Sequence, residues 1–311
     1  MSDALHAKYR PKKFSEVLGQ DAAVASLTEV VKRGSTHAFL FEGPSGVGKT
    51  TLARITARAS GCKSANVREI DAATYTGVDD MRNIQTLLQY EPFGDSKGRA
   101  VIIDECHSLS KNAWQSLLKI VEEPPAHVFW FFCTTEPSKV PKTIQSRCAT
   151  YTLRSVNEKA LRALYNRVAE AEGIELDGMS ADLIISEAGG SPRQLLVSLD
   201  ICRHAKDKKQ VADLVRSAQG SATIAELCQF LIRGGSWQKA MEIIGRLDGE
   251  APESVRIVVS NYFAAVTKNA KSDKSAVASL AVLEAFEKPY NQSDKLAPLI
   301  LSIGRVLFSG G

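Results

Sequence analysis

Gly43-Pro44-Ser45-Gly46-Val47-Gly48-Lys49-Thr50 follows the apolar run Ala38 to Phe41 and opens the helical pattern Thr50 to Ser60. It matches GxxxxGK[ST] in full, and its strand-before, helix-after flanks are those the motif needs. Glycines let such a loop wrap so that backbone N–H groups converge on phosphate oxygens, and the helix N-terminus adds partial positive charge. Lys49 is expected to reach the β- and γ-phosphates of a nucleotide and Thr50 to ligate Mg²⁺, with Gly43 to Gly48 and Thr51 completing the cradle. An ordinary glycine-rich turn would need neither flank.

Working outward, short β-type runs alternate with amphipathic helices, the pattern of a parallel sheet covered by helices. Strands are expected at Ala38 to Phe41, Val67 to Ile70, Ala100 to Ile103, Val128 to Thr134 and Thr150 to Leu153. Helices are expected at Ala22 to Lys32, Thr50 to Ser60, Asp79 to Gln89 and Lys111 to Val121. In the last of these Ser110 can cap, Trp114, Leu117, Leu118 and Val121 share a face, and Pro124-Pro125 stops the helix. After Leu153 strand signals end. Three helical stretches are expected to about Gly220, broken at Gly173, Gly178 and Gly189-Gly190-Ser191-Pro192, and about five more beyond Ser221.

Val101-Ile102-Ile103-Asp104-Glu105 is an apolar strand ending in two carboxylates, where the C-terminal edge of such a sheet carries its chemistry. Asp104 is expected to hold Mg²⁺, and Glu105 to orient and polarise the water that attacks the γ-phosphate. A solvent-facing acidic pair at a helix start is the bland reading, and the phosphate loop favours the catalytic one.

A chain of 311 residues, 44% hydrophobic and 24% charged, reads as a soluble globular protein of two or three domains. Its longest strongly apolar run, Val128 to Cys133, is far short of the ~18 residues of a membrane span, and no apolar stretch follows the basic start. A cytoplasmic protein without membrane contact is the expectation. Six scattered cysteines signal neither a zinc site nor disulfides, and a net charge of +4 means that any nucleic-acid site is a local patch or is shared between subunits.

Further segments, in order, resemble the AAA+ DNA clamp loaders, a family that includes the bacterial DNA polymerase III gamma/tau subunit, replication factor C small subunits and phage loader ATPases. The resemblance implies an α/β P-loop AAA+ domain with a parallel sheet (1–155), a small helical lid domain (156–219) and an all-α collar domain (220–311) that oligomerises. It rests first on Lys8-Tyr9-Arg10-Pro11 with Val17-Leu18-Gly19-Gln20, which in the family packs around adenine and so implies ATP contacts from Tyr9, Arg10, Pro11 and Val17. Asp104-Glu105-Cys106-His107 looks like the acidic box, with His107 read as structural. Thr135, at the end of the strand Val128 to Thr134, stands like sensor 1, although other members carry asparagine there. Ser146-Arg147-Cys148 matches the family's SRC motif, which implies that Arg147 reaches a neighbouring subunit's ATP as a finger. Gly190-Ser191-Pro192-Arg193 resembles sensor 2, with Gln194 where an acidic residue is usual.

In these loaders the assembly is a ring, expected to be pentameric, that grips primer-template DNA and a sliding clamp. Thr76, Gly77, Arg82, Lys111 and Asn112 are the candidate DNA contacts at two helix starts. Tyr90 and Phe93 are the candidate clamp contacts, with a core position for Phe93 equally open. Leu227, Phe230, Leu231, Ile243 and Ile244 would supply packing faces in the collar. Unlike gamma/tau, Gly61 to Tyr75 carries only Cys62 rather than a zinc-binding cysteine cluster, which points to phage or archaeal-type loaders, and no tau-like tail is expected after Phe308. A helicase or branch-migration motor shares the core but not the SRC motif. A non-hydrolysing scaffold conflicts with the presence of Lys49, Thr50, Asp104 and Glu105.

Overall fold

The computed structural model describes residues 4–72, 84, 88, 90–205, 207–247, 250–270, 272–290 and 296–308. The chain divides into two compact units, residues 1–211 and 212–311. The first holds a five-stranded sheet of β1 (Ala38–Glu42), β2 (Val67–Asp71), β3 (Arg99–Asp104), β4 (Val128–Thr134) and β5 (Ala149–Thr152). Strand order is β2-β3-β4-β1-β5, and every pairing is parallel. Each expected strand is present, within a residue or so at its ends.

Helices α1 (Leu5–Lys8), α2 (Asp21–Arg33), α3 (Lys49–Ala59), α4 (Lys111–Glu122) and α5 (Lys142–Gln145) accompany the sheet. Because parallel strands are covered on both faces, β4 is buried along its whole length and its residues alternate between two cores. Val128, Trp130 and Phe132 face one way, with Ala38, Leu40, Val101 and Ile103, onto Trp114 and Leu117 of α4. Phe129, Phe131 and Cys133 face the other, with Phe39, Phe41, Ala100 and Ile102, onto Leu27 of α2 and Leu52 of α3. Ser110 caps α4, its hydroxyl accepting from the Ala113 N–H at 3.2 Å. The helix expected over Asp79 to Gln89 lies almost entirely outside the described residues.

A helical segment follows: α6 (Glu158–Glu172), α7 (Gly178–Glu187) and α8 (Pro192–Ile201). Asn157, Asp177 and Ser191 cap their N-termini. Gly173 ends α6 at φ 63, whereas Gly178 is the first residue of α7 rather than a break. Next, α9 (Lys208–Arg233) runs without interruption through Gly220. In the second unit α10 (Trp237–Gly245), α11 (Pro252–Lys268), α12 (Asp273–Ala285) and α13 (Ala297–Phe308) pack around a core containing Leu227, Phe230, Leu231, Ile243, Ile244, Val259, Phe263 and Phe286.

Candidate nucleotide site

The site lies at the carboxyl ends of β1 and β3, inner strands of the sheet, where the chain leaves an apolar strand and side chains become free to act. The loop after β1 is closely boxed in. Gly43 sits at φ 140, and a Cβ there would overlap the Leu153 carbonyl oxygen. Gly46, at φ 76, lies against the Ser191 hydroxyl that caps α8, so a Cβ would collide with it. Glycine is thus demanded at both positions by conformation and by space.

Lys49 is buried, its Nζ donating to the carbonyls of Gly43 at 2.9 Å and Pro44 at 2.8 Å. Burial pushes its pKa below the usual lysine value, partly offset by the Glu105 and Asp104 carboxylates. The Thr50 hydroxyl donates to Asp104 Oδ2 at 2.7 Å, joining residues from the loop and from the end of β3. Glu105 follows with φ 47, the one non-glycine residue of positive φ among those described. Burial, reinforced by the Asp104 charge, raises its carboxyl above the usual range, and the Thr135 hydroxyl donates to its Oε2 at 3.2 Å.

Tyr9, Arg10, Pro11, Val17, Ser45 to Thr51, Asp104 and Glu105 line one cleft. Pro192 and Arg193, the first two residues of α8, close it from the helical segment. The Tyr9 hydroxyl is anchored by donating to Glu172 Oε1 at 2.5 Å. Sequence reasoning missed His6, Leu164, Arg167 and Leu196, which also line the cleft. Arg167 stands three residues after Leu164 on α6, a helix-face spacing visible in the sequence, but nothing there says that this face meets the loop.

Arg147 is not part of the cleft. It follows α5, donating to the Thr143 carbonyl at 2.8 Å and pairing with Glu122 at 2.7 Å. Lys111 and Asn112 are exposed at the start of α4, whereas Thr76, Gly77 and Arg82 lie outside the described residues. Tyr90 is 64% and Phe93 80% exposed, which rules out the core reading of Phe93. The buried Asn66 side chain holds Phe93 by its backbone, donating to its carbonyl at 2.9 Å and accepting from its N–H at 2.8 Å.

The family model for DNA polymerase III, delta subunit, matches residues 64–157. DNA polymerase III subunit gamma/tau of Mycobacterium tuberculosis is 41% identical over 221 residues, covering 63% of this chain and 38% of that protein. DNA polymerase III subunit tau of Bacillus subtilis is 35% identical over 285 residues, covering 84% and 50%. Over the matched residues the chain is similar to DNA polymerase III gamma/tau subunits. It spans half or less of the length of these two relatives. Its cysteine-poor segment points to phage or archaeal-type loaders, whereas both relatives are bacterial. The Thermotoga maritima RuvB Holliday junction branch migration motor has a TM-score of 0.57 at 22% identity, over 76% of this chain and 85% of that one, a likeness of fold. Among the described residues no helix is long and apolar enough to cross a membrane.

Proposed function

We propose that this chain is an ATP-hydrolysing motor subunit that opens a ring-shaped sliding clamp and loads it onto primer-template DNA. What carries the reading is one pairing of features: a complete phosphate loop with its carboxylates in one cleft, and an SRC arginine outside that cleft, paired with Glu122 and available to an adjoining subunit only by exchanging that partner. The residues fit ATP and Mg²⁺. Gly43 and Gly46 give the loop a close-packed path that a Cβ would block against Leu153 and Ser191, and the Thr50 hydroxyl and Asp104 carboxylate, hard oxygen donors, lie 2.7 Å apart. Thr50 and Asp104 would hold Mg²⁺, which when bound neutralises charge on the β- and γ-oxygens.

Within this chain, Lys49 and Arg193 supply positive charge to the phosphates. Glu105 accepts a hydrogen bond from the attacking water and orients it, and Thr135 steadies that carboxylate. Tyr9, Arg10, Pro11 and Val17 hold the base. Arg193 belongs to a lid, so its contact with nucleotide forms only when lid and ATPase domain close, while the collar assembles the ring in the cytoplasm. Lys111 and Asn112 would face the DNA backbone and Tyr90 and Phe93 the clamp.

The test is steady-state ATPase of the chain, with its ring partners, in the presence and absence of primed DNA and a sliding clamp. Joint stimulation is expected, together with loss of ATP binding in Lys49→Ala and of turnover alone in Glu105→Gln. Strand separation or junction movement without any response to the clamp would replace this reading with the branch-migration motor.

A further inference from the structure

We propose that His107 is a positioning residue for the Glu105 carboxylate. The inference rests on Glu105 as the residue that orients the attacking water, and it adds a residue that the sequence reading set aside as structural. Glu105 sits at φ 47, a left-handed conformation that side-chain-bearing residues rarely adopt. That backbone aims the side chain off the end of β3, but its own torsions still leave the carboxylate several places to go. Two neighbours narrow the choice at Oε2: the Thr135 hydroxyl at 3.2 Å and the His107 Nδ1 at 3.4 Å.

The imidazole is itself fixed on both sides. Its Nδ1 is 3.1 Å from the Thr134 hydroxyl and its Nε2 is 3.4 Å from Glu136 Oε1, and the ring is only 9% exposed. Thr134 cannot give way easily, because it is wholly buried at the end of β4 and its hydroxyl also accepts the Glu136 N–H at 2.9 Å. A ring wedged between the end of β4 and Glu136 therefore presents one nitrogen to the carboxylate from a set position. At 3.4 Å this contact is longer than a strong hydrogen bond, so it acts as a weak directed polar attraction that draws Oε2 to one place rather than by changing the charge of Glu105. Water orientation is steeply geometric, which is why a group that touches no substrate can govern the rate.

The loop beyond connects this wedge to the finger. Glu136 opens the turn Pro137–Lys139, and Gln145 staples that turn to α5 by donating to the carbonyls of Pro137 at 3.0 Å and Val140 at 2.8 Å. Arg147 follows two residues later.

The experiment compares the full chain with His107→Leu, which fills space without hydrogen bonding, and His107→Asn, whose amide can stand in for Nδ1. ATP dissociation constant, kcat and melting temperature are measured for each. His107→Leu is expected to lose at least about tenfold in kcat with ATP affinity within about twofold, and His107→Asn to recover most of that loss. A normal kcat in His107→Leu overturns the proposal, as does an equal loss in both variants, which would mean that ring shape and not hydrogen bonding matters. Should His107→Leu fold poorly, Thr134→Val serves instead: it removes the hydroxyl that locates Nδ1, and unchanged kcat there overturns the proposal. Glu105→Gln is run alongside. Turnover retained in that variant removes the function reading beneath the proposal, whereas turnover lost there but kept in His107→Leu defeats the proposal alone.

Discussion

Replacing Gly46 by alanine tests whether the phosphate loop and the cap of α8 are one mechanical unit. At φ 76 an alanine enters the left-handed region at a cost of about 1–2 kcal/mol. Its Cβ would also collide with the Ser191 hydroxyl, which is the end of a side chain and can rotate away. Rotation gives up the cap that this hydroxyl makes on the Gln194 N–H at 3.2 Å, a loss of about 1 kcal/mol. Gly46→Ala should therefore destabilise the first unit by about 2–3 kcal/mol, and Ser191→Ala alone by about 1 kcal/mol. In the double variant the cap is already gone, so only the backbone cost is added. The total stays near 2–3 kcal/mol instead of summing to about 3–4, a coupling of about 1 kcal/mol. Equilibrium urea denaturation followed by Trp114 and Trp130 fluorescence reads this unit once Trp237, in the other unit, is replaced by Phe. Strict additivity of the two substitutions, or a Gly46→Ala cost below about 0.5 kcal/mol, would refute the reasoning.

Arg147→Ala should leave ATP affinity unchanged, because the side chain lies outside its own cleft, while turnover of the assembled ring falls by about 10³-fold or more; single-turnover hydrolysis with the isolated and the assembled chain separates the two effects. Phe93→Ala should not shift the melting temperature, since the ring is 80% exposed, but should weaken clamp binding about tenfold in surface plasmon resonance, and Asn66→Ala should weaken it too by releasing the Phe93 backbone. In the second unit the Arg256 guanidinium, helped by the Tyr290 N–H, holds the Glu253 carboxyl down at about 2. A depressed folded-state pKa contributes stability that is present above the ordinary glutamate range and lost as pH falls from there toward about 2, so a melting-temperature series should show a decline over that window that Glu253→Gln lacks.

Much of the sheet could be read without coordinates. Runs such as Val128 to Thr134 are too short for helices and too apolar to lie at a surface, and a strand covered on both faces of a parallel sheet needs nothing else. The phosphate loop was legible because its constraints are local: glycine torsions, a strand before and a helix N-terminus after. The roles expected of the Lys49 charge and the Thr50 hydroxyl rest on the same ground.

What the sequence could not contain is which distant side chains meet. Thr50 and Asp104 are brought to 2.7 Å only by the order in which the strands lie, with β3 separated from β1 by β4. Phe93 illustrates the same limit, since an aromatic residue among turn formers has no period to say whether it points in or out, and the Asn66 clamp that turns it outward comes from the segment just before β2. His107 is the sharpest case. One step along the chain from Cys106, it has no signal of its own, and it acquires one only when the end of β4 places Thr134 and Glu136 on either side of its ring. Local backbone chemistry is written in neighbouring residues, whereas the aim of a side chain depends on packing between segments that the chain order keeps apart.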